Sequence, residues 1–175
     1  MAKARCVFLF DAEGEFARRL CLVPARLPGD IDAAVATGWV CFDPHVMFPG
    51  ELEAALVFFC RVVLEWCARL PGRKFFVIDE CQRYMTGNQV PKPLKTLVQT
   101  GRRYGADGVF IGQQPNELHN TVRAQLSEVV CFNLTDEQAL KFPKRFGFDE
   151  DAIAGLDPKR HQWIARDNRG RETRG

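Results

Sequence analysis

The sequence predicts an α/β fold with three layers, in which helices cover both faces of a mostly parallel β-sheet. Short, uninterrupted apolar runs recur along the chain, as expected for strands that are buried on both faces. Helical patterns lie between these runs, so strands and helices alternate. A polar cluster follows each run, at the point where an open parallel sheet binds its ligands.

The length of 175 residues predicts one domain with a substantial core. We expect this domain to span residues 1–166 and a basic tail to span residues 167–175. With 46% hydrophobic and 26% charged residues the composition is that of an ordinary globular protein. The net charge of +2 is too small to indicate nucleic-acid binding, so such a case needs local basic clusters.

Neither a membrane span nor a signal peptide is expected. No run approaches the roughly 18 apolar residues that a spanning helix needs, and acids follow the first short apolar run at once. The seven cysteines lie mostly in apolar runs without a CxxC pair, which favours buried thiols in a reducing cytoplasm, the host's if the protein is viral. The histidines supply no zinc-ligand spacing.

The predicted strands cover residues 6–10, 39–42, 75–78, 108–111 and 129–132. Helices are predicted over residues 51–70, 93–103 and 136–142, with a short one between Asp149 and Gly155. Thr135 and Gln138 have the spacing of a capping box for the third of these helices. The pattern of residues 161–175 predicts a strand, a turn at 167–170 and the basic tail.

The stretch FFVIDE contains the first candidate site, because Asp79 and Glu80 directly follow a buried strand. In nucleotide-hydrolysing folds an Asp at a strand end holds the Mg²⁺ that bridges the phosphates, and an adjacent Glu can accept the proton of the attacking water. Any strand can also end in acids, so the pattern alone leaves both interpretations open.

The stretch GRRYGADGVFIGQQP contains the second candidate site. Gln113 follows the next predicted strand, where an amide can sense a γ-phosphate and orient water. Arg102 and Arg103 follow a helix and precede that strand, so we expect them near the functional edge of the sheet, where they could reach the phosphate of a neighbouring subunit. The alternative is a helix C-terminus whose arginines face its dipole or pair with Asp107.

Together with VFLFDAEGEF, these stretches resemble the HerA/FtsK superfamily of P-loop ATPases, which includes DNA translocases and viral genome-packaging ATPases. The resemblance covers roughly residues 5–166 and rests on the order of a D-x-x-G-E strand end, a D-E strand end, G-R-x-x-G and Q-x-P. It implies a P-loop NTPase-like fold with ATP and Mg²⁺ as cofactors. The roles that it implies are a Mg²⁺ ligand at Asp79, the catalytic base at Glu80, a sensor at Gln113, a trans-acting arginine at Arg102 or Arg103, and positions beside the nucleotide crevice for Asp11 and Glu15.

The phosphate-binding loop of such ATPases is missing from the sequence. No G-x-x-x-x-G-K-[ST] occurs in the 175 residues, and a strand, loop and helix of this kind take roughly 20–30 residues. A degenerate paralogue, a start internal to a longer gene and a loop supplied by a separate chain all explain its absence. We therefore expect weak ATP binding and little hydrolysis.

A run of basic residues between positions 81 and 103 includes Lys92 and Lys95 and contains no acid. In ring translocases such a segment contacts the DNA backbone; the alternative is a solvated basic surface.

The expected partners are the chain itself or an intact paralogous ATPase in a ring, and single- or double-stranded DNA. The expected function is an ATPase-like protein of DNA translocation or viral genome packaging, with a non-catalytic scaffold or regulatory subunit as the alternative. A Mg²⁺-dependent nuclease is disfavoured, because no Lys stands in a D…(D/E)-x-K arrangement.

Overall fold

A computed structural model describes residues 6–84 and 90–175 of the chain. The contacts divide the chain into a first unit, Met1–Gly112, and a second unit, Gln113–Gly175. In the first unit the elements are β1 (Cys6–Phe10), α1 (Glu15–Arg19), α2 (Asp30–Thr37), β2 (Trp39–Phe42), α3 (Pro44–Met47), α4 (Leu52–Arg69), β3 (Lys74–Ile78), α5 (Lys92–Thr100) and β4 (Ala106–Phe110).

The four strands of the first unit form one parallel sheet in the order β2-β1-β3-β4. Their last residues are in register, with Phe10 opposite Phe42 on one side and Ile78 on the other, and Ile78 opposite Phe110. All four strands therefore end at one edge, which we call the carboxyl edge. The predicted α/β fold with a mostly parallel sheet is confirmed, and the predicted strands at 6–10 and 39–42 have the predicted bounds.

Aromatic side chains hold α4 against this sheet. Phe59 of α4 packs its ring 5.4 Å from Phe10 and 5.9 Å from Phe42, and all three side chains are almost fully buried. Burying rings of this size is among the largest apolar contributions that single side chains make. The helix ends before Pro71-Gly72, as predicted.

Gly105 explains the tight turn between α5 and β4. Its φ of +69° is unfavourable for a residue with a Cβ, and an added Cβ would lie 2.8 Å from the Gly72 carbonyl oxygen. The helix predicted over 93–103 ends as α5 at Thr100 and continues as a single 3-10 turn, Gly101–Tyr104.

The second unit contains α6 (Asn120–Arg123), β5 (Glu128–Cys131), α7 (Glu137–Arg145), α8 (Glu150–Ala154), β6 (Ile164–Asp167) and β7 (Glu172–Arg174). Its three strands form an antiparallel sheet in the order β5-β6-β7. Cys131, Phe148, Ile153 and Ile164 form its core.

Three local predictions in the second unit need correction. The apolar run at 129–132 lies largely in β5, Glu128–Cys131, which pairs antiparallel with β6. The apolar run alone does not reveal the direction of the partner strand. Asp136, and not Thr135, caps α7, since its carboxylate accepts a hydrogen bond from the Ala139 N–H at 2.8 Å. The residues expected to form a basic tail include β7. The cap at Asp149 and the turn after Asp167 are confirmed.

Six of the seven cysteines are buried free thiols, as predicted, whereas Cys21 is exposed. Burial raises the pKa of the Cys41 and Cys81 thiols to about 12, which keeps them protonated at neutral pH. Among the helices in residues 6–84 and 90–175, none is long and apolar enough to cross a membrane.

Candidate functional site

Two buried aspartates lie side by side at the carboxyl edge. Asp11 follows β1 and Asp79 follows the adjacent strand β3, and they are 3% and 9% exposed. The Asp11 N–H donates to the Phe42 carbonyl at 3.2 Å, and the Asp79 N–H donates to the Phe10 carbonyl at 3.3 Å. The parallel ladder thus extends to both residues and fixes their backbones at the same edge.

Asp11 has a structural role in addition to its place at the edge. Its Oδ2 accepts a hydrogen bond from the Ala17 N–H at 2.8 Å, which satisfies a donor in the first turn of α1. The thiol of Cys41 also approaches Oδ2, at 3.7 Å. The other oxygen, Oδ1, is buried without a hydrogen-bond partner in the described part of the chain. One carboxylate oxygen is therefore committed to the fold and the other is an unused acceptor.

The local environment of Asp79 disfavours the ionised form of its carboxyl group. Burial is the largest cause that raises the pKa of its carboxyl, and the negative charges of Glu80, Asp11 and Glu15 raise it further. A backbone hydrogen bond from Glu80 opposes these effects without cancelling them. A cation at this edge would relieve both the desolvation and the repulsion.

Glu80 is held in an unusual backbone conformation directly after Asp79. Its φ of 47° lies in the left-handed region, where a residue with a Cβ is strained. The amide of Gln82 donates to Glu80 Oε2 at 2.5 Å, and Gln82 is itself buried. Gly112 leaves room for this amide, since an added Cβ there would collide with it and would lie 3.1 Å from Cys81 Sγ. Packing and a hydrogen bond thus orient the carboxylate that the sequence predicts as a base.

Tyr84 is a buried neighbour that the sequence analysis did not identify. It ends the 3-10 turn Cys81–Tyr84 and packs edge-on against Phe10, with ring centroids 5.2 Å apart. Its hydroxyl is buried without a hydrogen-bond partner in the described residues, and burial raises its pKa to about 12. Only its position five residues after the Asp79 carboxylate could have indicated it, and many core tyrosines share that property.

An ion pair between Arg83 and Glu13 was also not predicted. Their side chains are hydrogen-bonded, and they join the segment after β3 to the segment after β1. Both side chains are about half exposed, at 49% and 46%, so the pair contributes little stability. Glu15 lies nearby on the exposed α1, where it pairs with Arg18 and Arg19 at 3.7 and 3.5 Å.

Gln113 is the first residue of the second unit, so its position beside the aspartates stays a prediction. The strand that precedes it does end at the carboxyl edge. The Ile111 N–H donates to the Ile78 carbonyl at 3.0 Å, and the Cys81 N–H donates to the Ile111 carbonyl at 2.9 Å. The chain therefore follows the carboxylate strand to within two residues of Gln113.

Arg102 and Arg103 do not lie near the carboxyl edge, which corrects the prediction of their location. They belong to the turn that precedes β4, and the first residue of β4, Ala106, is opposite the first residue of β3, Lys74. A five-residue strand of roughly 3.3 Å per residue separates that end from the carboxyl edge. In a parallel sheet a residue before a strand lies at the opposite edge from a residue after its neighbour. Asp107, the local acid considered for them, pairs with Arg73 at 2.7 Å.

Lys92 and Lys95 are exposed on α5, whose other side buries Leu94 and Leu97. This arrangement is compatible with a contact to DNA phosphates and equally with a solvated helix surface. Residues 85–89 of the basic segment that is predicted to contact DNA lie outside the described residues.

The carboxylates of the carboxyl edge could hold a magnesium ion together with a nucleotide. Within residues 6–84 and 90–175, no group of three or more His, Cys, Asp or Glu side chains could hold a metal on its own. Mg²⁺ in nucleotide sites needs only one or two carboxylates, with phosphates and water as its other ligands. Asp79 and Asp11, whose Oδ1 has no hydrogen-bond partner in the described residues, are carboxylates of this type.

Comparisons with known proteins agree with this architecture. Residues 57–161, more than half of the chain, match the family described as Zonular occludens toxin (Zot). None of the curated proteins compared with the chain matches it.

Solved structures of viral packaging NTPases have a similar fold. The genome packaging NTPase B204 from Sulfolobus turreted icosahedral virus 2 in complex with AMP has a TM-score of 0.70 and 14% identity, over 97% of this chain and 81% of that chain. Its complex with AMPPCP gives 0.67 and 16%, over 97% and 81%. B204, the DNA-packaging ATPase from Sulfolobus Turreted Icosahedral Virus, gives 0.64 and 15%, over 97% and 81%. At these identities the likeness shows a common fold.

Proposed function

The chain belongs to the zonular occludens toxin (Zot) family, and we propose that it is an ATPase-type protein of DNA translocation or viral genome packaging. One observation carries the proposal: Asp11 and Asp79 end adjacent parallel strands at one edge, buried, with Glu80 beside them. That edge is where open parallel sheets bind ligands. Burial and the neighbouring negative charges disfavour the charged form of Asp79, so a ligand with positive charge is the simplest account of this residue.

The residues at the carboxyl edge divide the work of nucleotide hydrolysis. Asp79, directly or through water, and the free oxygen of Asp11 would hold Mg²⁺. When bound, Mg²⁺ neutralises charge on the phosphates. Glu80, oriented by the Gln82 amide, accepts a proton from a water molecule. Gln113 would orient that water, and Glu15 would border the nucleotide.

Assembly and DNA binding form the second part of the proposal. Arg102 and Arg103 are exposed at the opposite edge of the sheet, where they cannot serve their own carboxyl edge. In a ring they would face a neighbouring subunit, either a second copy or an intact paralogue, and stabilise charge on its phosphates. Lys92 and Lys95 would contact the DNA backbone, and the protein would act in the cytoplasm.

We propose further that the 175-residue chain by itself binds ATP weakly and hydrolyses it slowly. The sequence has no G-x-x-x-x-G-K-[ST] to provide successive backbone N–H groups and a lysine for the phosphates. The alternative is a non-catalytic scaffold or regulatory subunit that assembles with an intact ATPase. The exposed Arg102 and Arg103 of this chain favour that alternative. They could complete the nucleotide site of a partner even if this chain has no phosphate-binding loop.

The test combines binding and turnover. Titration with Mg-ATP is compared for wild type, Asp79→Asn, Glu80→Gln and the control Asp32→Asn, which alters an exposed acid on α2. We expect weak binding that Asp79→Asn abolishes and that the control leaves unchanged, with a slow turnover that requires Glu80. Binding that is the same in all four proteins would refute a nucleotide site at the carboxyl edge.

The scaffold alternative is tested by mixing. The chain is added to a loop-containing paralogue, as wild type and as the Arg102→Ala, Arg103→Ala double variant. Stimulation of the paralogue's ATPase rate by wild type alone supports arginines that act in trans. Equal rates with either protein and with no addition contradict that role.

A further inference from the structure

Two tight turns lead the chain away from the buried aspartates at the carboxyl edge. After β1, the Gly14 N–H donates to the Asp11 carbonyl at 3.4 Å, and Gly14 has a φ of +67°, which favours glycine. After β3, the Arg83 N–H donates to the Glu80 carbonyl at 2.9 Å within a 3-10 turn. Glu13 lies in the first turn and Arg83 in the second, and the strands that carry these turns are neighbours in the sheet.

The ion pair between Arg83 and Glu13 joins the two turns. Because both side chains are about half exposed, water and dissolved ligands can reach either partner. Exposed pairs of this kind are held weakly. The Arg83 guanidinium can therefore exchange its partner without a large loss of stability.

The charge balance of the two turns leaves one cation beside several acids. Residues 11–14 and 79–84 carry four acids and one base, Arg83. The hydrogen bond to Glu13 raises the pKa of Arg83 most, and the charge of Glu80 raises it further, so the guanidinium lies close enough to Glu80 to interact with it. Acids at this edge repel the phosphates of a nucleotide. A planar guanidinium forms paired, charge-assisted hydrogen bonds to phosphate oxygens and would offset that repulsion.

We propose that Arg83 binds the phosphates of the nucleotide, and that Glu13 holds its guanidinium while the site is empty. The inference rests on the proposed function, because phosphates reach Arg83 only if a nucleotide binds at the carboxyl edge. On binding, Arg83 exchanges the Glu13 carboxylate for phosphate oxygens. Glu13 thus competes with the ligand for one guanidinium, so Glu13 weakens nucleotide binding and Arg83 strengthens it.

Other roles of the ion pair lead to different results. If the pair only joined the two turns, the loss of either partner would disturb the site to a similar extent. If Arg83 only neutralised Glu13, replacing both residues by neutral ones would restore the charge and the affinity. A phosphate contact predicts neither result, because Arg83 itself donates hydrogen bonds to the ligand.

The experiment measures the affinity of the full chain for Mg-ATP by NMR titration observed on the nucleotide, a method suited to weak binding. We expect Glu13→Gln to bind about two- to fivefold more tightly, the range that corresponds to an exposed ion pair. Arg83→Gln should bind at least about tenfold more weakly. The double variant Glu13→Gln, Arg83→Gln keeps the net charge of the wild type and should still bind nearly as weakly as Arg83→Gln.

Glu65 and Arg69 provide a matched control. They form an exposed ion pair near the end of α4 that precedes β3, away from the carboxyl edge. Glu65→Gln and Arg69→Gln should bind Mg-ATP like wild type. Thermal unfolding shows that every variant is folded, because the loss of an exposed pair should change Tm by less than about 4 °C.

Failure of this inference is distinguishable from failure of the proposed function. Equal affinities of wild type, Glu13→Gln and Arg83→Gln overturn the inference, as does weaker binding by Glu13→Gln or a double variant that binds like wild type. These results leave the proposed function intact if Asp79→Asn still abolishes binding. Affinities that change with Glu13 and Arg83 as expected, without dependence on Asp79 or turnover that requires Glu80, uphold the phosphate contact and count against the proposed function. Absence of binding in every protein overturns both.

Discussion

Replacing Tyr84 by Phe isolates a single buried hydroxyl at the carboxyl edge. The ring is 8% exposed and keeps its edge-on contact with Phe10 in the variant, since only the oxygen is removed. That oxygen is buried and has no hydrogen-bond partner in the described residues. We therefore expect the substitution to stabilise the protein, in contrast to the ordinary Tyr→Phe change.

The size of the effect follows from the hydrogen-bond balance. A buried polar group without a partner costs about 1–3 kcal/mol, whereas a satisfied hydroxyl contributes about 0.5–1.5 kcal/mol. Tyr84→Phe should raise the free energy of unfolding by about 1 kcal/mol or more. For a protein of this size, 1 kcal/mol corresponds to roughly 2–4 °C in Tm.

Raising the pH amplifies the difference. The pKa of Tyr84 is raised from 10.0 to about 12, so the folded state keeps the phenolic proton that the unfolded chain releases. Wild type consequently loses stability as the pH rises from about 10 to about 12, and Tyr84→Phe does not share this loss. Urea unfolding at pH 7 and thermal unfolding between pH 7 and 10.5 measure the two effects. A variant that is less stable than wild type at pH 7 would show that the hydroxyl has a partner, such as an ordered water, and would refute the reasoning.

Three further predictions concern the same unit. Asp79→Asn should raise Tm at pH 7, because burial and neighbouring charges raise the pKa of this carboxyl in the folded state. The ionised carboxyl lowers the free energy of unfolding fully above the folded pKa, and this loss disappears as the pH falls towards the unfolded pKa. An increase in Tm that persists at low pH contradicts this cause. Gly108→Ala should lower the free energy of unfolding by about 1–3 kcal/mol in urea titrations, because the new methyl would lie 2.5 Å from the Phe76 ring, whereas Gly29→Ala meets nothing within 4 Å and should be nearly neutral. Iodoacetamide should modify one thiol of the native protein, at Cys21, and all seven after denaturation; mass spectrometry that finds a second native adduct refutes the assigned burial.

The first unit could be predicted because its signals are local. Uninterrupted runs such as CVFLF are typical of strands buried on both faces, and Pro71-Gly72 ends a helix wherever it occurs. The pairing direction of β5 could not be predicted, because it depends on β6, more than thirty residues later, and the apolar content of a run is the same for either direction. The cap of α7 was misassigned by one residue because Thr135 and Asp136 are both good capping residues, and only the Ala139 N–H decides between them.

At the candidate site, chain order predicted which residues follow strands but not which edge each residue reaches. Asp11 and Asp79 both follow strands of one parallel sheet, so their common edge was implied by the fold class. The same rule, applied strictly, would have put Arg102 and Arg103 at the other edge, since they precede β4. Gln82 and Tyr84 were missed because their importance arises from burial: an amide or a phenol becomes informative when its polar atoms are enclosed.

The energetics of the carboxyl edge separate residues that serve the fold from those that do not. Asp11 stabilises the fold although it is buried, because its Oδ2 accepts a hydrogen bond from a backbone N–H in the first turn of α1. Asp79 and Tyr84 contribute less to the stability of the fold. Burial and like charges disfavour the charged carboxyl of Asp79, and the Tyr84 hydroxyl has no hydrogen-bond partner in the described residues. Glu80 adds a left-handed backbone conformation two residues from the buried amide that orients it. Features that lower stability persist where a function requires them, and here they fall within six consecutive positions after β3. A ligand that supplies positive charge and hydrogen bonds at this edge would offset the unfavourable burial of the Asp79 carboxyl and of the Tyr84 hydroxyl. For this reason the stability gained by Asp79→Asn or Tyr84→Phe should be accompanied by weaker binding of Mg-ATP.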